Sequence, residues 1–173
     1  MPDLRATPGD GEIIPASFSI RFSPSSQLIV VVRRFVESFY ARVLRDPDLS
    51  SQLALATHEL LENSVKYGLD NNANLAVTVD VNDDGYDVIV TIRNEAIDAH
   101  IVEAEETIAA INASDDIFSF YQQQIQIATE RDNGSKLGLV RIAAEAGMSL
   151  TLRRDGTSLE ISAMAHFNPQ SLA

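Results

Sequence analysis

The sequence contains no cysteine. That excludes disulfides, thiolate catalysis and cysteine-ligated zinc. Histidine is nearly as scarce: His58, His100 and His166 are the whole set, and they show no metal-ligand spacing. Basic residues are also few, 13 Lys and Arg against 25 Asp and Glu, for a formal charge of −12. So acidic a surface repels phosphate backbones and anionic membranes, which argues against nucleic acid as a partner and against direct contact with a bilayer. A nucleotide is still acceptable, because its site needs only local N–H groups and a cation. No apolar run approaches transmembrane length, and the first residues lack the core of a signal peptide. No membrane insertion and a cytoplasmic location are therefore expected.

What is present suits one domain: 173 residues, 45% of them hydrophobic, enough for a sizeable core. Residues 1–15 carry Pro2, Pro8, Gly9, Gly11 and Pro15 without a packing signal and read as an N-terminal tail. Ser17 to Phe22 alternates and predicts an edge strand. Ser23 as N-cap and Pro24 as first helical residue predict a helix to about Leu44. Its Leu28–Val32 run is apolar nearly all round, which reads as a core helix, with contact to another subunit as the other option.

Asp46-Pro47-Asp48 breaks the chain and starts a second helix, and Asn71 to Asn74 reads as a loop. Leu75–Val81 and Tyr86–Ile92 alternate around Asn82–Gly85, a hairpin pattern. Two helices follow, about Asp98 to Ile111 and, after a Ser114 cap, Asp115 to Thr129. Residues 130–134 read as a loop, Leu137 to Ala146 as a helix stopped by Gly147, and Ser149–Arg154 with Thr157–Met164 as a second hairpin around Asp155-Gly156. The order predicts an α+β fold, with helices on one face of a mixed or antiparallel sheet. The domain spans residues 16–165, and 166–173 form a short C-terminal tail.

The stretch with chemical content is His58-Glu59-Leu60-Leu61-Glu62-Asn63-Ser64-Val65-Lys66-Tyr67-Gly68, the last turns of the second helix. Leu53, Ala56, Leu60, Leu61 and Val65 form its apolar stripe, and Gly68 is placed to end it at C′. Asn63 lies about 40° around the axis from Glu59, and Lys66 about 20° to the other side. An acid, an amide and a base thus share a strip beside the apolar stripe. A half-desolvated carboxylate there makes a better base, and an amide oxygen suits Mg²⁺. The same spacing also fits an ordinary solvated helix face, with His58, Glu62 and Lys66 in i,i+4 pairs.

Glu59 to Tyr67 resembles the N-box of the GHKL superfamily, the gyrase, Hsp90, histidine-kinase and MutL ATPases, and most of all the stand-alone anti-sigma-factor kinases and SiaB-like kinases. The resemblance covers about residues 16–165 and implies the two-layer α/β sandwich of the Bergerat type, with a nucleotide lid at about residues 95–133. It implies ATP and Mg²⁺ as cofactors, Glu59 as general base, Asn63 as Mg²⁺ ligand, and Lys66 and Tyr67 near phosphate. It also implies a Ser/Thr kinase acting on a STAS-type partner, the anti-sigma-factor-antagonist class, with a homodimer as a further option.

Two other motifs of that superfamily are altered. Where an Asp-x-Gly-x-Gly segment is expected, the chain reads Ile92-Arg93-Asn94-Glu95-Ala96-Ile97. The Asn94 oxygen can accept the adenine amino hydrogen bond in place of the Asp, or Asn94 merely ends a strand. The Gly-rich entry to the late helix reads Gly134-Ser135-Lys136-Leu137-Gly138-Leu139. Gly138-Leu139 keeps the pattern. Lys136 replaces a glycine and can either grip a phosphate or obstruct it, and the stretch also fits a plain loop capped by Ser135. Glu103, Glu105 and Glu106 read as a solvated face. The alternative function is a degenerate GHKL domain, a non-catalytic protein-binding regulator.

Overall fold

Period-two alternation builds the sheet. A computed structural model describes residues 13, 15–131 and 137–168. Among the described residues, five strands, β1 (Ala16–Phe22), β2 (Gly68–Asn82), β3 (Gly85–Ala96), β4 (Ser149–Asp155) and β5 (Ser158–Phe167), form one antiparallel sheet in the order β1-β2-β3-β5-β4. Val88, Val90 and Ile92 of β3 and Leu159, Ile161 and Ala163 of β5 are buried on one face. On the other, the Thr91 and Ser162 hydroxyls meet at 2.9 Å. Among the described residues, five helices, α1 (Ser26–Val43), α2 (Pro47–Tyr67), α3 (Asp98–Asn112), α4 (Ile117–Arg131) and α5 (Leu137–Ala146), pack on the first face, α4 through its partly buried Ile117, Phe120 and Tyr121. This is the expected α+β two-layer sandwich, and the sheet is antiparallel throughout.

α2 forms as its sequence dictates. Asp46 accepts from the Leu49 N–H at 2.9 Å, Pro47 fills the first turn, and Leu49, Leu53, Leu60 and Leu61 bury the stripe. In the core, the Tyr40 hydroxyl lies 3.2 Å from that of Thr57, which itself donates to the Leu53 carbonyl at 2.8 Å. Burial, offset in part by the Thr57 hydrogen bond, pushes the Tyr40 phenol well above its ordinary range, so it stays protonated.

Several sequence expectations need correction. The N-cap of α1 is Ser25, whose hydroxyl accepts from the Leu28 N–H at 3.3 Å, and Pro24 lies outside the helix. The Leu28–Val32 run is not deeply buried as a whole. Ile29 and Val32 are, but Leu28, Val31 and, one turn on, Phe35 are 40%, 62% and 46% exposed. Each precedes a buried residue by one position, so the three share a flank about 100° around the axis from the buried stripe. Phe18 of β1 packs edge-on against Phe35 at 4.8 Å, so this flank adjoins β1, the outermost of the described strands on that side.

Gly68 is the C-cap in extended backbone, not a left-handed C′ residue, and β2 starts there directly. The loop expected at 71–74 is strand. Ala73 and Asn74 pair with β1 and β3, and the register shifts between Gly68 and Ala73. α4 is capped by Asp116, not Ser114: its carboxylate accepts from the Phe118 and Ser119 N–H groups at 3.1 Å. Hydrogen bonds from Ser119, side chain first, hold that carboxyl below its ordinary range. β5 reaches Phe167, so His166 and Phe167 belong to the sheet and not to the tail. Among the described residues, no helix is long and apolar enough to cross a membrane.

Candidate functional site

The site is built where α2, α3, α5 and the β3–β5 part of the sheet converge. Leu60 and Leu61, fully buried, fix the rotation of α2 and leave Glu59 and Asn63 half-buried at its edge. α5 passes directly over them. A Cβ on Gly138 would stand 2.8 Å from Glu59 Oε2 and 3.7 Å from both terminal atoms of the Asn63 amide. Only a residue without a side chain lets the backbone approach the acid and the amide so closely.

Beside Asn63 opens a cleft with about 510 Å³ of empty space, its mouth included. Ile92, Leu159 and Ile161 from the sheet and Leu139 from α5 give it apolar walls, and Ser64 and Tyr67 close the α2 side. His100, Glu103 and Thr107 of α3 line the remainder. Asn94 lies here too. It does not end its strand, since β3 continues to Ala96; it takes the inward slot after Val90 and Ile92. Its amide N–H donates to the Glu95 carbonyl at 3.0 Å, which assigns the side-chain oxygen as the acceptor end.

The Tyr67 and His100 rings meet edge to face at 4.8 Å. The Tyr67 hydroxyl and His100 Nδ1 are buried without a hydrogen-bond partner among the described residues. Buried polar atoms in native proteins are rarely left so. Apolar walls with a few polar groups at fixed places suit a flat heteroaromatic ligand with hydrogen-bonding edges.

Of the residues singled out in the sequence, Asn63, Tyr67, Asn94 and Leu139 therefore line one cleft, with Glu59 and Gly138 at its border. Lys66 is exposed, its ammonium 5.2 Å from the centroid of the Tyr67 ring, and is not part of the lining. Leu137, half-exposed, starts α5 and does not line it either. Gly134, Ser135 and Lys136 lie outside the described residues. Glu103, read as part of a solvated face, lines the cleft. His100 and Thr107 were not singled out: a helix read by its apolar positions does not tell which polar residues look inward.

Glu59 is not alone. Arg141 of α5 donates to its Oε1 at 2.9 Å, and the Glu59 side chain is 15% exposed. Arg141 Nε also donates to Glu145 Oε1 at 3.1 Å, and the same oxygen accepts from the Tyr121 hydroxyl of α4 at 2.9 Å. Burial works against the Arg141 charge, but the Glu145 hydrogen bond and the two carboxylates prevail and raise its pKa above the ordinary value. The i,i+4 spacing of Arg141 and Glu145 is visible in the sequence. The link to Glu59, 82 positions away, is not.

No protein-family model matches the sequence, and no curated protein does. Among solved structures, a chain of the SiaB–SiaC complex from Pseudomonas aeruginosa superposes with a TM-score of 0.60 at 18% identity, over 87% of this chain and 89% of that one. At that identity the likeness is one of fold: the chain has the architecture of a component of the SiaB–SiaC complex.

Proposed function

We propose that the chain is a GHKL-type, Mg-ATP-dependent Ser/Thr kinase that modifies a STAS-type partner protein. The observation that carries this is the convergence of Asn63, Tyr67, Asn94 and Leu139 on one apolar-walled cleft with Glu59 and Gly138 at its border. The unpartnered Tyr67 and His100 polar atoms and the Asn94 oxygen fit the edge of an adenine. The described residues contain no cluster of three or more His, Cys, Asp or Glu able to hold a cation. Mg²⁺ needs few protein ligands, because it keeps several waters and is held largely by substrate phosphates. Asn63 would be such a ligand.

Mg-ATP, when bound, supplies the phosphoryl group. Glu59 would take the proton of the partner's hydroxyl as that oxygen is phosphorylated, with ADP as the leaving group. The structural neighbour comes from a two-protein complex, which supports a reading in which the chain acts on a protein. The second reading, a non-catalytic binding module, is favoured by the engagement of Glu59 with Arg141 and by the missing glycines at 92–97.

Mg-ATP at about one hundred times its Kd should add ~2.7 kcal/mol of stability. That raises Tm by roughly 5–10 °C, at about 2–4 °C per kcal/mol. A flat thermal shift at millimolar Mg-ATP would favour the binding module. Labelled ATP with a STAS-domain partner should place acid-stable phosphate on a serine or threonine.

A homodimer belongs to the same proposal. The exposed Leu28, Val31 and Phe35 adjoin β1, which pairs on one side only among the described residues. An exposed apolar flank beside an edge strand is a surface on which a second copy of the chain can pack. Sedimentation velocity should show a dimer that Val31→Glu dissociates; a monomer at every concentration removes this element.

A further inference from the structure

We propose that Tyr121, Glu145 and Arg141 form a relay through which helix α4 positions the Glu59 carboxylate. The inference rests on the reading of Glu59 as the base and of α4 as part of the lid. Tyr121 on α4 donates to Glu145 on α5 at 2.9 Å, Arg141 on α5 donates to the same carboxylate at 3.1 Å, and Arg141 Nη1 donates to Glu59 on α2 at 2.9 Å. The chain of bonds thus crosses three helices and ends on the residue assigned the chemistry.

Its last link decides which oxygen is available. Oε1 of Glu59 is engaged by Arg141, so Oε2 is left to receive a proton, and Oε2 is the oxygen that lies against the Gly138 backbone, beside Asn63. A charge-assisted hydrogen bond to one oxygen restricts the rotation of the carboxylate. A guanidinium itself fixed by Glu145 transmits any displacement of that carboxylate. When α4 is seated, the Tyr121 hydroxyl completes the set; when α4 lifts away, Glu145 and then Arg141 lose a restraint, and Oε2 loses its aim. Arg141 and Tyr121 are positioning residues in this scheme. Glu59 alone meets the substrate.

The test is an exchange cycle on the nucleotide-free chain joined to kinetics. Tyr121→Phe keeps the ring and removes only the hydroxyl. It is compared with Arg141→Met and with the double variant by hydrogen exchange of the α4 amides. Each single change should speed that exchange about tenfold, and the double variant no more than the faster single, because members of one network are not additive. Glu59→Gln, on a different helix, should speed the same amides about threefold.

In the transfer assay, Tyr121→Phe should lower kcat about tenfold with the KM for Mg-ATP within about twofold, and Arg141→Lys should recover part of what Arg141→Met loses. Multiplying exchange effects, α4 exchange indifferent to Glu59→Gln, or an unchanged kcat in Tyr121→Phe overturns the relay. A wild-type chain that binds no nucleotide but keeps the non-additive cycle supports the link from α4 to Glu59 and removes the kinase reading instead.

Discussion

Glu59→Gln is expected to lower phosphoryl transfer by about 10²–10⁴-fold, the usual contribution of a positioned general base, while Mg-ATP binds within a few-fold of wild type. Glutamine keeps the volume of the side chain. Its carbonyl oxygen can still accept from Arg141, more weakly without the charge, and the position of Arg141 is also set by Glu145. What disappears is the atom that can hold a proton at Oε2. Asn63 and the cleft walls are untouched, so a loss confined to the chemical step is the signature of a base. Single-turnover transfer and equilibrium binding, measured separately, check it. Unchanged transfer would falsify the assignment of Glu59.

Gly138→Ala should separate stability from activity in the opposite sense to most helix substitutions. Gly138 lies in the first turn of α5, where alanine gains less than the roughly 1 kcal/mol of a helix interior but loses nothing in propensity, so Tm should hold. The new Cβ, however, would stand 2.8 Å from Glu59 Oε2, closer than any relaxed contact. The backbone is fixed by buried neighbours Leu139 and Val140, so the flexible carboxylate must yield. Its other oxygen is on Arg141, and it cannot yield without turning. A displacement of about 1 Å at a reacting group costs on the order of 10²-fold in rate. A stable Gly138→Ala protein with full transfer activity would mean that the close approach of α5 has no catalytic role.

Local signals carried the architecture. The 2.0 and 3.6 periods of the apolar residues placed five strands and five helices and put Asn63 beside the apolar stripe of α2. Local pattern and structure part where one residue type serves two structures. Ser23-Pro24-Ser25-Ser26 offers several caps, and which hydroxyl reaches a free N–H depends on where the strand before it ends. The Asn-rich start of β2 looks like a loop, yet Asn74 is paired on both sides, with Arg21 and with Arg93. The Leu28–Val32 run shows that apolarity all round a helix does not guarantee burial all round, since the sheet and α2 meet only one face. The site was legible in its α2 part, because Glu59 and Asn63 are near in sequence. Arg141, Tyr121, His100 and Thr107 act across tertiary contacts, and no spacing along the chain encodes those.

The central joint of the sheet has a consequence for the order in which the molecule comes into being. β3 and β5 lie side by side, yet Thr91 and Ser162, paired across them, are 71 positions apart. The hairpins β2–β3 and β4–β5 can zip locally, whereas this joint must close a long loop containing three helices, and such closure is slow and entropically costly. The cleft straddles the joint: Ile92 and Asn94 come from one side of it, Leu159 and Ile161 from the other. As the chain leaves the ribosome, α2 emerges with its acid and amide long before the wall opposite exists. Through that interval β3 is an open edge, and the cleft stays without its second sheet wall until β5 docks.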